Sequence, residues 1–114
     1  MNVGIIGLGV MGGAFASHLL KNRFKVYGIE PNKKNAKIFI KMNGILLSDI
    51  KELFLKCDFL ITSLPSIKSY KDVLNQILKE TKFKVKKTII DMNTISISDK
   101  VDFKEHVKPL NIDL

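Results

Sequence analysis

The sequence predicts an α/β domain in which helices flank a doubly wound, mainly parallel sheet, and three observations carry that prediction. Short apolar runs with a β-branched bias alternate with segments of helical spacing at intervals of roughly 15 to 30 residues, as repeated strand–helix–strand units require. Four of the seven glycines crowd into residues 7–13, between the first apolar run and the first helical segment. Pro31 and Pro65 each stand close behind an apolar run, where proline ends a strand because it cannot donate to the ladder.

The elements follow in order. Residues 2–6 are a short apolar run suited to a buried strand. Residues 11–21 have helical spacing, with Phe15 and Leu19 on one stripe and Gly12, Ala16 and Leu20 on the next. "KVYGIE" (25–30) is a second strand, "NKKNAKIFIKM" (32–42) a second helix, and residues 45–47 a weak third strand. "SDIKELFLKC" (48–57) opens with Asp49 and Glu52 near the positive end of a short helix. "DFLITSL" (58–64) is a strand closed by Pro65. Ser69 and Asp72 then form a capping-box pattern ahead of Val73, Leu74, Ile77 and Leu78. "KTIIDM" (87–92) is the fifth strand, a last helix is expected at about 98–106 before Pro109, and residues 110–114 read as a sixth strand just beginning.

Composition narrows the class. A chain of 114 residues holds one small domain, and 46% apolar content allows a sizeable core. The single cysteine, Cys57, excludes an internal disulfide and favours a reducing cytoplasm. No basic leader with a cleavage site opens the chain, and no apolar run approaches the roughly 18 residues of a membrane span. The chain therefore reads as cytoplasmic. A net charge of +8 raises nucleic acid or another polyanion as a partner. Yet Arg23 is the only arginine and the lysines are scattered, "KFKVKK" at 82–87 being the one dense cluster. Arginine does most specific base and phosphate reading, so nucleic acid is the disfavoured partner.

The glycines give the chemistry. Gly7, Gly9 and Gly12 are spaced G-x-G-x-x-G after a strand and before a helix. In that setting the first permits a tight turn, the second lets a pyrophosphate approach the backbone, and the third brings helix and strand close. The helix N-terminus adds unpaired N–H groups and a positive dipole end. Glu30 ends the second strand about 20 residues on, where a carboxylate accepts from the ribose hydroxyls of an adenosine. Its charge would repel the 2′-phosphate of NADP, so the expected cofactor is NAD, with NADP second because Lys33 and Lys34 soften the repulsion.

Together, "GIIGLGVMGGAFASHLLKN" (4–22), "CDFLITSLPS" (57–66) and "IIDMNTIS" (89–96) resemble the β-hydroxyacid dehydrogenases, the group that includes 3-hydroxyisobutyrate dehydrogenase and 6-phosphogluconate dehydrogenase. The resemblance spans essentially the whole chain and implies a Rossmann-type fold. It implies cofactor contacts from the whole turn Gly7, Leu8, Gly9, Val10, Met11 and Gly12. Leu64 and Pro65 would line the dinucleotide cleft, and Thr94 would lie near the nicotinamide. Two departures stand out: Arg23, after Asn22, replaces the glycine usual behind the first helix, and Asn93 replaces a frequent serine. The family's catalytic lysine lies in a helical domain beyond its sixth strand, and no lysine here, nor His18 or His106, falls on that motif.

These readings converge on residues 1–114 as the incomplete NAD(P)-binding Rossmann domain of an oxidoreductase. That enzyme acts on the CH–OH group of a small 3-hydroxy acid, which only a full-length form would bind. No catalytic and no metal-ligating residue is assigned. The alternatives are a stand-alone, non-catalytic dinucleotide sensor and, behind it, a polyanion-binding basic module. A fifth strand left with an open edge would favour marginal stability or a homo-oligomer.

Overall fold

The computed structural model describes residues 1–64, 67–80, 87–91 and 112–113. The strands are β1 (Asn2–Ile6), β2 (Lys25–Ile29), β3 (Ile45–Leu46), β4 (Phe59–Thr62), β5 (Lys87–Asp91) and β6 (Ile112–Asp113). The helices are α1 (Val10–Lys21), α2 (Lys33–Lys41), α3 (Ile50–Lys56) and α4 (Ile67–Glu80). The sheet runs β3-β2-β1-β4-β5-β6, and every one of its pairings is parallel. The Rossmann-type α/β expectation holds, and among the described residues every strand pairing of the expected mainly parallel sheet is parallel.

Strands covered on both faces read as continuous apolar runs rather than alternations, and β1 shows it: Val3 to Ile6 are all buried. Alternate residues nonetheless feed two separate cores. Val3, Ile5, Val26 and Ile61 pack with Ala16 of α1 and Phe39 of α2. On the opposite face Ile6, Tyr27, Leu60 and Ile89 pack with Ile50, Leu53 and Phe54 of α3. So α1 and α2 cover one face and α3 the other, with Val73 of α4 packed against the α3 core. The chain changes face between β1 and β4, adjacent in the sheet but not in sequence.

The helix ends show local chemistry at work. At α1, Phe24 N–H donates to the Leu19 carbonyl at 3.1 Å and Arg23 N–H to Leu20 at 3.2 Å, the paired bonds of a Schellman cap. The cap needs a left-handed residue, and Arg23 takes that conformation at φ 67°, at the position where the resemblance implies a glycine. Asn43 does the same behind α2 at φ 73°, with Gly44 N–H bonded to the Phe39 carbonyl at 3.0 Å. Asn32 and Asp49 cap α2 and α3 by accepting from Asn35 N–H and Lys51 N–H.

One local expectation fails. Ser69 and Asp72 do not open α4, which already begins at Ile67. Nothing helix-breaking separates Pro65 from Ser69, so Ile67 and Lys68 extend the helix backwards, and a capping-box pattern alone does not fix its start. The expected sixth strand is present as Ile112–Asp113, paired with Lys87 and Thr88. The expected helix at 98–106 and the lysine cluster at 82–86 lie outside the described residues. No helix among the described residues is long and apolar enough to cross a membrane.

Arg23 carries the ordinary penalty of a Cβ in the left-handed region, about 1 kcal/mol. Arg23→Gly should therefore raise the urea midpoint, with unchanged slope, by the equivalent of about 0.5–1 kcal/mol. A lower midpoint would show that the arginine side chain stabilises this corner by more than its backbone strain costs.

Candidate functional site

β1 and β4 stay paired to their carboxyl ends, but the helices that follow them pack on opposite faces of the sheet, and the crevice this leaves is the place ligands occupy in open parallel sheets. Here it is a cleft of about 960 Å³, at the upper end of the range for small-molecule and cofactor sites. Its lining includes Gly7, Gly9, Val10 and Met11 of the glycine turn and the start of α1, Glu30, Asn32 and Asn35 behind β2, and the apolar Leu46, Leu47 and Ile50. Ser63 and Leu64 follow β4, and Ser69, Asp72, Val73 and Gln76 of α4 complete the rim.

The glycine turn is shaped by what it excludes. Gly7 has φ +95°, and a Cβ there would run into the Ser63 carbonyl oxygen. A Cβ on Gly12 would run into the carbonyl oxygen of Gly7, so α1 lies directly against the turn that precedes it. Gly9 differs: an added Cβ meets nothing within 4 Å among the described residues. The fold does not need glycine at that point, and the open space borders the cleft. Gly9 is also the N-cap of α1, and no side chain caps that end; the first turn carries no acid. The caps of α2 and α3, by contrast, are filled by Asn32 and Asp49. The amides of the first turn of α1 have no partner within the helix, and with the helix dipole they suit an anion. A dinucleotide's pyrophosphate fits this cradle.

The assigned residues divide. Gly7, Gly9, Val10, Met11, Glu30 and Leu64 line the cleft. Leu8 does not, since its side chain is 3% exposed and sits in the core while that of Val10 is 93% exposed at the rim. Gly12 acts beneath the turn rather than on the cleft surface. Pro65 and Thr94 lie outside the described residues. Glu30 is held by two backbone amides: Leu8 N–H donates to Oε1 at 2.9 Å and Asn32 N–H to Oε2 at 3.1 Å. The sequence reading missed the α4 rim. Its signal is present, because Ser69, Asp72, Val73 and Gln76 have the i, i+3, i+4, i+7 spacing of one helical face, but the first two also fit a capping-box pattern.

Comparisons with known proteins agree with this architecture. The imine reductase of Myxococcus stipitatus in complex with NADP+ superposes with a TM-score of 0.85 at 15% identity, over 99% of this chain and 39% of that one. Mycobacterium tuberculosis 3-hydroxyisobutyrate dehydrogenase with L-serine superposes at 0.80 and 23% identity, over 98% and 38%. An imine reductase from a Pseudomonas species gives 0.81 at 22%, over 97% and 38%. The chain thus spans under two fifths of the length of these structures, and at such identities they share its fold. No curated protein sequence matches the chain. The sequence profile of the NAD binding domain of 6-phosphogluconate dehydrogenase matches residues 2–114. On that match, across nearly every residue, the chain belongs to the NAD-binding domain family of 6-phosphogluconate dehydrogenase.

Proposed function

We propose that this NAD-binding domain serves an oxidoreductase that acts on the CH–OH group of a small 3-hydroxy acid. The observation that carries the reading is the uncapped start of α1, opening over the free space at Gly9 where the sheet changes face. The amides of Val10 and Met11 would receive the pyrophosphate, Glu30 the adenosine ribose, and Leu64, Pro65 and Thr94 the path toward the nicotinamide. The bound cofactor supplies hydride transfer at its nicotinamide ring. The protein's own residues bind and orient it. Support for the substrate class comes from the motif resemblance and from the shared fold of a 3-hydroxyisobutyrate dehydrogenase whose structure was solved with L-serine, itself a 3-hydroxy acid. With no catalytic residue assigned in residues 1–114, this segment by itself is expected to bind dinucleotide weakly and turn nothing over.

Titration with NADH tests the reading. Gly9→Ala should leave the unfolding midpoint unchanged within about 0.5 kcal/mol, because its Cβ enters open space. It should weaken NADH binding at least about tenfold, or roughly 1.4 kcal/mol. Unchanged affinity would remove the pyrophosphate from this turn. Gly12→Ala should instead destabilise the fold by about 2 kcal/mol or more, because its Cβ meets backbone that cannot step aside.

Two comparisons of affinity complete the test. NADH should bind more tightly than NADPH, by up to about tenfold, because Glu30 opposes the 2′-phosphate. Binding that collapsed steeply with salt and ignored Glu30→Ala would point to a polyanion module.

A further inference from the structure

Glu30 joins two turns that are far apart in sequence. Its Oε1 accepts from the amide of Leu8, between the first two glycines of the motif, 22 residues away. Its Oε2 accepts from the amide of Asn32, and the Asn32 side chain in turn caps α2 through Asn35 N–H. One carboxylate therefore ties the entry of α1 to the entry of α2.

The ties around it run in parallel. Gly7 N–H donates to the Ile29 carbonyl at 3.0 Å, continuing the β1–β2 ladder one residue past the strand. The Leu8 side chain packs over Gly28 of β2, where an added Cβ would meet its Cδ1 at 2.8 Å. With the side chain anchored in the core and Gly7 left-handed, Leu8 N–H has a fixed direction, and Glu30 meets it in a half-buried position. Leaving such an amide unpaired costs as much as a lost hydrogen bond or more.

We infer that Glu30 is a positioning residue that holds the glycine turn in its phosphate-receiving shape through the Leu8 amide, besides any contact it makes with a ribose. The inference rests on the reading of this cleft as a dinucleotide site. The two roles are compatible, since each carboxylate oxygen keeps a second lone pair for a ribose hydroxyl. They are separable by ligand: inorganic pyrophosphate has no ribose. If Glu30 served only the ribose, removing its negative charge would leave pyrophosphate binding unchanged or strengthen it by relieving repulsion. If it holds the turn, pyrophosphate binding weakens despite the lost repulsion.

The experiment follows NMR amide signals of the full chain, wild type, Glu30→Gln and Glu30→Ala, first free and then titrated with pyrophosphate and NADH. Glu30→Gln keeps the side chain's size and one acceptor oxygen, so it serves one amide well and guards against loss of fold. In the free protein, Leu8 amide exchange should quicken at least about tenfold in Glu30→Ala, with Glu30→Gln between. Pyrophosphate affinity should fall at least about fivefold in Glu30→Ala, again with partial rescue by Gln. Unchanged Leu8 exchange, or equal or tighter pyrophosphate binding in both variants, overturns the inference while leaving the dinucleotide site intact. A wild-type chain that binds neither pyrophosphate nor NADH overturns the reading of the cleft, and the inference with it.

Discussion

Between the end of β1 and the start of α1 the backbone reverses within three residues, and it does so by pressing the helix onto the turn itself. The carbonyl oxygen of Gly7 occupies the space where a side chain on Gly12 would begin, and the carbonyl of Ser63 occupies the corresponding space at Gly7. Three segments, the turn, the first helix and the loop behind β4, thus meet backbone to backbone. Everything else that places the cleft depends on this contact. It sets the angle at which α1 leaves the sheet, it fixes where the free amides of that helix begin, and it keeps β4 beside β1. The buried Ala16, one turn beyond Gly12, continues the close approach with the smallest side chain that still favours a helix.

The division between structural and cleft-facing glycines follows. Two glycines of the motif are demanded by the chain's own atoms, whereas no atom of the described residues demands glycine at position 9. A residue that the fold leaves free, at the unfilled cap of a helix, beside a large cleft, is more telling about function than the motif as a whole. The same reasoning separates α1 from its neighbours. Asn32 and Asp49 satisfy the starts of α2 and α3 from within the chain, so those ends are closed to an anion in a way that the start of α1 is not.

Most of this was legible from sequence because parallel α/β architecture writes strong periodicities. Buried strands such as β1 and β4 are continuous apolar runs, and helices such as α2 show a clear apolar stripe through Ala36 and Phe39. The glycine spacing and Glu30 were legible because close backbone approach leaves so few residue types acceptable. What escaped was set by tertiary packing. The start of α4 was misplaced because Ser69 and Asp72 look alike as a cap and as the outer face of a running helix. The inward burial of Leu8 has no local signal, since its neighbour Val10, equally apolar, is exposed. The engagement of Glu30 by Leu8 and Asn32 depends on two turns meeting across 22 residues, which no spacing rule encodes.

The charge pattern belongs to the same argument. Lys33 and Lys34 open α2 at the end of a helix whose dipole already presents positive charge, an arrangement that is locally unfavourable. The chain offsets it nearby: Asn32 caps the helix, and the Glu30 carboxylate sits immediately before it, bonded to the Asn32 amide. Glu30 thus lies at the junction of an unmet helix start at α1 and an overly positive one at α2, and accepts an amide hydrogen from the chain at each. A single carboxylate at that junction accepts from both turns and places a hydrogen-bond acceptor in the lining of the cleft. On the proposed roles of Glu30, stability of the two turns and recognition at the cleft become properties of one carboxylate.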